Sequence, residues 1–288
     1  MTDVRTISVL GAGTMGHGIA HAAMMSGFAT RLYDPSDKAV ARAQAAIEGI
    51  LTRAVELGKA NVSDADAARG RLVTTTDVAA AVADTDLVIE AAPERIDVKI
   101  TLLSEVERHA PAAAIVATNT SALSITELAG SMARPARVAG MHFFNPVHKM
   151  KLVEVVRALD SSESTIDTIV AVAGRMGKET VLVRESPGFI TTRVNASIGN
   201  EAFYLLMEGV ASARDIDKAL KLGLNHPMGP FELVDLVGLD TRLSILEYLH
   251  KSLGEKYRPC PLLVQYVRAG RLGRKVGRGV YDYAQPAR

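Results

Sequence analysis

A histidine and a glutamate, each set in an otherwise apolar run, are the residues of this chain best suited to proton transfer. His142 closes the run Gly140-Met141-His142-Phe143-Phe144, and Glu154 interrupts Leu152-Val153-Glu154-Val155-Val156. A carboxylate inside an apolar strand is costly unless something pairs with it. A turn through Asn145-Pro146 and Lys149 brings the two runs side by side as a hairpin, which makes His142 the expected partner. Held through one ring nitrogen, a histidine acts as a general base through the other. A lone strand histidine is often structural, and it is the carboxylate that favours a base here. His148, in a polar turn beside Lys149 and Lys151, reads as a solvated loop residue.

A second constellation handles phosphate. Gly11-Ala12-Gly13-Thr14-Met15-Gly16 has the G-x-G-x-x-G spacing, follows the apolar run Thr6 to Leu10 and opens a helical stretch. Glycines at these places allow a tight turn and a close approach of backbone to a pyrophosphate seated on a helix N-terminus. Asp34 ends the next apolar run, Ala29 to Tyr33. Its carboxylate suits ribose hydroxyls and repels a 2′-phosphate, so NAD is expected over NADP. Arg31, two residues earlier on the same strand face, is able to offset part of that charge. Asn119-Thr120-Ser121 directly follows the run Ile115 to Thr118, which puts it at the carboxyl edge of a sheet, where open α/β folds bind ligands; a helix cap is the plainer reading.

The elements that position these residues follow from hydrophobic pattern. Thr6 to Leu10, Ala29 to Tyr33, Asp86 to Glu90 and Ile115 to Thr118 are apolar without alternation, as in parallel strands covered on both faces. Asp37 to Lys59 and Ser63 to Arg71 carry helical periodicity and are expected as a helical hairpin inserted between strands. Beyond Ser186-Pro187-Gly188 the pattern becomes helix after helix: Asn195 to Glu208, Ala213 to Leu222 and Leu239 to Lys251. The expected fold is α/β: a Rossmann-type, mostly parallel sheet over residues 1–185, followed by a smaller all-α domain over 186–288. Apolar helices such as Asn200 to Met207 suggest that the second domain dimerises.

Composition narrows the partners. Lys and Arg number 33 against 32 Asp and Glu, a balance that argues against a nucleic-acid or acidic-membrane footprint. Cys260 is the only cysteine, which excludes an internal disulfide and a cysteine metal site and fits a reducing cytoplasm. The small, apolar start from Met1 to Gly27 is broken by Gly11, Gly13, Gly16 and His17, unlike a signal peptide. No uncharged run approaches the ~20 residues of a membrane span.

Together the Gly11 motif, Asn119-Thr120-Ser121, His142-Phe143-Phe144-Asn145-Pro146, Glu154, Ser186-Pro187-Gly188-Phe189, His226-Pro227-Met228-Gly229-Pro230 and Gly273-Arg274-Lys275 resemble the 3-hydroxyacyl-CoA dehydrogenase family, particularly its short bacterial 3-hydroxybutyryl-CoA dehydrogenases. The resemblance runs in order over essentially the whole chain. It implies oxidation of an L-3-hydroxyacyl-CoA at C3 with NAD as acceptor. It further implies that His142 takes the hydroxyl proton, Glu154 orients the ring, and Ser121 bonds the substrate oxygen. Asn119 and Asn145 would line the nicotinamide end, while Glu94, Lys99 and Lys275 match cofactor-contacting positions. One stretch departs from the family's Gly-Phe-x-x-Asn-Arg: Gly188-Phe189-Ile190-Thr191-Thr192-Arg193 places Thr192 where Asn is usual. Asn195 stands three residues on, on the same side if the stretch is helical, and the carbonyl-holding role is expected to be shared by Thr192 and Asn195. For the CoA moiety, Arg53 and Lys59, with Arg69 and Arg71 just beyond, form a local basic group. Two other functions keep the same fold: a dehydrogenase of a free hydroxy or sugar acid, and a nucleotide-binding regulator without chemistry. Ser121, His142 and Glu154 speak against the second.

Overall fold

Runs of Val, Ile and Leu without polar alternation become the inner strands of one sheet. The computed structural model describes residues 3–283 and divides the chain into two units, Met1–Ser186 and Pro187–Arg288. In the first unit the order is β1 (Thr6–Leu10), α1 (Thr14–Met25), β2 (Ala29–Tyr33), α2 (Asp37–Glu56), α3 (Val62–Arg69), β3 (Leu72–Thr75), α4 (Val78–Val82), β4 (Leu87–Glu90), α5 (Ile96–His109), β5 (Ile115–Thr118), α6 (Ile125–Gly130), β6 (Val138–Phe143), β7 (Leu152–Arg157), α7 (Glu163–Arg175) and β8 (Glu179–Arg184). The sheet order is β3-β2-β1-β4-β5-β6-β7-β8. From β3 to β6 every pairing is parallel; β7 runs antiparallel to β6 and parallel to β8. The α/β fold expected from the sequence is therefore present, with an antiparallel turn at one end.

Strands β4, β5 and β6 are buried at every position, which is why their sequences do not alternate. Their register aligns Leu10, Glu90 and Thr118 at one edge, so the segments starting at Gly11, Ala91 and Asn119 leave the sheet together. The inserted helices fold back on each other: Ile47 and Leu51 of α2 share the core with Ala65 and Ala68 of α3, and Arg69 pairs with Glu48. Most helices here begin on a capping side chain, Ser36 for α2 and Ser162 for α7 among them. At α1 the cap position is Gly13, with no side-chain bond, so the first amide groups of this helix keep their donors for something else.

The second unit is helical: α8 (Thr191–Met207), α9 (Ala213–Gly223), α10 (Pro230–Val237), α11 (Leu239–Leu253) and α12 (Pro261–Arg268). Ala196, Phe203, Phe231, Val234, Leu246, Leu249 and Leu263 form its core. Two buried aspartates organise it. Asp217 accepts from the amides of Phe231 and Glu232 at the start of α10, and Asp235 accepts from those of Val280 and Tyr281. Cys260 is buried, and burial pushes its thiol pKa up, so it is unreactive as a thiolate. No helix among the described residues is long and apolar enough to cross a membrane.

Candidate active site

Antiparallel pairing of β6 with β7 sets His142 directly opposite Glu154. Nδ1 of His142 lies 2.7 Å from Oε2 of Glu154, in a site where the histidine is 5 % exposed and the glutamate fully buried. The carboxylate accepts, so Nδ1 carries a hydrogen. Val153 and Val155 on either side are fully buried, and Val181 of β8 pairs with Glu154 from the far side. The Phe144 ring lies 4.6 Å from the imidazole, centroid to centroid, and shields it further.

The neighbouring strand ends hold the loop that carries Ser121. Oδ1 of Asn119 accepts from the Phe143 amide at 2.8 Å and so ties this loop to the strand bearing His142. Oε1 of Glu94 accepts from the Thr120 hydroxyl at 2.6 Å and the Ser121 amide at 2.8 Å. Behind Glu94 lies a buried ion pair. The Lys99 ammonium is 2.7 and 2.9 Å from the two oxygens of Glu90 and donates to the Ala92 carbonyl at 3.2 Å, and it sits 3.5 Å from Glu94. Glu90 also accepts from the Ala92 amide and the Thr118 hydroxyl, both at 2.6 Å. Every member of this network is satisfied, as a buried charge pair requires.

At the edge of β1 the backbone forms a cradle. Gly11 has φ +110°, a value that side chains rarely tolerate, and a Cβ there would strike the Ala91 carbonyl at 2.6 Å. At Gly16 a Cβ would overlap the Gly11 carbonyl at 1.6 Å, so close helix–strand packing needs a glycine. Gly13 differs: a Cβ would meet nothing within 4 Å, which leaves open space in front of the uncapped α1 amides. That space and those donors fit a pyrophosphate, with Thr14 and Met15 supplying amides. Asp34 turns one oxygen to the Ala12 amide (2.9 Å) and the other to the Ser36 amide (3.0 Å), which fixes its carboxylate beside the cradle. Arg31 does not offset this charge. Its guanidinium instead pairs with Asp84 and donates to the Ala80 carbonyl.

Residues 6–186 match the NAD-binding domain of 3-hydroxyacyl-CoA dehydrogenase and residues 188–283 match its C-terminal domain. The chain belongs to the 3-hydroxyacyl-CoA dehydrogenase family. It is 46 % identical over 284 residues to a probable 3-hydroxybutyryl-CoA dehydrogenase of Bacillus subtilis, covering 98 % of this chain and 99 % of that one. It is 44 % identical to a 3-hydroxybutyryl-CoA dehydrogenase of Bradyrhizobium diazoefficiens, over 97 % and 96 % of the two chains. The crystal structure of (S)-3-hydroxybutyryl-CoA dehydrogenase from Ralstonia eutropha superposes with a TM-score of 0.94 at 43 % identity, covering 98 % of this chain and 100 % of that chain. The cofactor of this family member is NAD.

Other residues singled out in the sequence have varied surroundings. Asn145 is exposed at the start of the turn after β6. Lys99 is 1 % exposed, with its ammonium turned onto Glu90, and Lys275 is bound to both oxygens of Asp240 at 2.7 and 2.6 Å. Thr192 and Asn195 both lie on the first turns of α8 and are half-buried. The basic group on the inserted helices does not act as one patch, since Arg53 pairs with Glu56, Arg69 with Glu48 and Asp66, and Arg71 donates to the Met24 carbonyl. Burial chiefly lowers the His148 pKa, and Lys59 is among the nearby cations that add to it. Sequence reasoning passed over Glu90, although it is a carboxylate at the end of an apolar strand, the same signal that picked out Glu154.

Proposed function

We propose that this enzyme interconverts L-3-hydroxybutyryl-CoA, or a similarly short L-3-hydroxyacyl-CoA, and the 3-oxoacyl-CoA. The observation that carries the reading is the buried 2.7 Å bond between His142 and Glu154 at the edge of the sheet that also forms the dinucleotide cradle. NAD supplies the acceptor for the hydride leaving C3. Nε2 of His142 takes the hydroxyl proton, Glu154 fixes the tautomer and stabilises the cation, and Ser121 donates to the substrate oxygen. The released charge balances as one hydride and one proton lost from the alcohol. Gly11, Gly13, Thr14, Met15, Gly16 and Asp34 hold the adenosine and pyrophosphate side of the cofactor. Asn119 and Asn145 line the nicotinamide end, and Glu94, Lys99 and Lys275 support that binding, Lys99 through Glu90 and Glu94. Lys59 and Arg53 remain the candidates for CoA. The test is an NADH absorbance assay. Acetoacetyl-CoA should be reduced with NADH well ahead of NADPH, and free acetoacetate hardly at all. Equal turnover of the free acid would replace this reading with that of a hydroxy-acid dehydrogenase.

In the same proposal residues 186–288 form the substrate-binding and dimerisation domain of a cytoplasmic homodimer. Exposed Met207 and Val210 at and just after the end of α8 support an apolar contact face. Thr192 and Asn195 together replace the usual asparagine. Losing one hydrogen bond to a developing charge costs about 1.5 to 3 kcal/mol, roughly ten- to a hundredfold in kcat/KM. Thr192→Val and Asn195→Ala should each show such a loss at unchanged thermal midpoint, and their combination should be non-additive. A double variant with wild-type kinetics removes both residues from the site.

A further inference from the structure

His21 is 8 % exposed, and neither of its ring nitrogens has a hydrogen-bond partner. Buried polar groups are nearly always satisfied, so a ring with two unsatisfied nitrogens needs a reason. It lies on α1, one helical turn after His17, so the two imidazoles share a helix face. The turn after β6 completes the group. Val147 packs where a Cβ on Gly18 would come within 3.0 Å, and this seats the turn on α1 and brings the His148 ring to 6.1 Å from that of His21, edge to face. Lys178 clamps the same turn by donating to the carbonyls of Val147 (2.5 Å) and Met150 (2.8 Å). His17 donates from Nδ1 to the Gly13 carbonyl at 2.9 Å, which leaves Nε2 for a ligand.

We propose that His17, His21 and His148, with Lys59 and Lys149, form a site for a tetrahedral dianion, a phosphate group borne by the substrate or free in solution. The fixed positive charges nearest the cluster are Lys178, which acts on both His21 and His148, and Lys149 and Lys59, which act on His148; each ring adds a like charge only when protonated. No group of three metal-binding side chains with suitable geometry occurs among the described residues, so the imidazoles do not converge on a cation. Burial, followed by the positive neighbours, lowers the His21 pKa to about 4, so its ring is neutral at pH 7. A bound dianion supplies the missing acceptor and the missing counter-charge together, and His21 and His148 take up protons as it binds. Affinity therefore rises as pH falls.

Sulfate is the probe, because its charge stays fixed between pH 8 and 6. Titrated into the full chain, it should bind more tightly at the lower pH, by up to about tenfold per pH unit for each proton taken up. His148→Ala, at an exposed position, should weaken binding about tenfold or more. His21→Leu keeps the core apolar and should flatten the pH dependence. Identical sulfate affinity and pH profile in the wild type and both variants would overturn the site. A second arm identifies the source, and only this arm rests on the dehydrogenase reading. If the phosphate is the substrate's, His148→Ala raises KM for acetoacetyl-CoA but not for its analogue lacking the 3′-phosphate. If the anion is free, both KM values hold while sulfate binding is still weakened.

Discussion

His142→Gln should fold, bind NADH and lose about 10² to 10⁴ of kcat, the range for removal of a general acid–base group. Glutamine is close to histidine in reach, and its amide can still donate to Glu154, so the buried carboxylate keeps a partner and the hairpin keeps its register. What disappears is a nitrogen able to accept a proton. The two measurements are NADH fluorescence for cofactor binding and NADH absorbance with acetoacetyl-CoA for turnover. Intact binding with the predicted loss of turnover assigns the role to the ring. Near-wild-type turnover excludes it.

The partner variant shows whether the pair acts as a unit. Glu154→Gln leaves the imidazole in place but replaces its charged acceptor by a neutral amide, which stabilises the cation less and no longer dictates which ring nitrogen carries the hydrogen. The loss should be smaller than for His142→Gln. Residues that act as one device are strongly non-additive, so the double variant should be no slower than His142→Gln alone. Losses that multiply would mean that Glu154 serves the reaction, or the fold, by a separate route.

The parts of this molecule legible in sequence are those where burial and chemistry leave few alternatives. Strands β1 and β5 coincide with the apolar runs Thr6 to Leu10 and Ile115 to Thr118, because inner strands covered on both faces have no reason to alternate, whereas β2 lies on Ala29 to Tyr33 but alternates, burying Thr30 and Leu32 and leaving the residues between them less covered. The His142–Glu154 pairing was readable because a carboxylate inside Leu152 to Val156 demanded a cation or donor within one hairpin. Edge strands were not readable. β3 is Leu-Val-Thr-Thr and only partly buried, while β8 exposes Leu182 and buries just Val183 in Glu179–Arg184, so neither carries the pattern of a covered strand. Arg31 shows a different limit. Its choice of Asp84 over Asp34 depends on where a residue fifty-odd positions away comes to rest, which spacing along the chain does not encode. His21 is similar, since its neighbour His148 arrives by way of the turn after β6.

Lys99 is where the structure most changes the meaning of a residue. Family resemblance alone makes it a cofactor contact, whereas its ammonium is buried between both oxygens of Glu90 and the Ala92 carbonyl. Removing one partner of a buried ion pair costs about 3 to 5 kcal/mol, because the other charge is left uncompensated. Lys99→Met should therefore lower the thermal midpoint by on the order of 10 °C in a chain of this size. Through Glu94 it should also loosen the loop bearing Ser121. Replacing both charges is a different matter, since an apolar or neutral pair of similar volume avoids the desolvation penalty altogether. Glu90→Gln added to Lys99→Met should then recover most of the lost stability, and with it much of the activity. Calorimetry and NADH titration on the single and double variants separate the two roles. A direct cofactor contact predicts weakened NADH binding at an unchanged midpoint, with no recovery in the double variant. A positioning role predicts the reverse: a midpoint that falls with Lys99→Met and returns with Glu90→Gln, carrying NADH affinity with it.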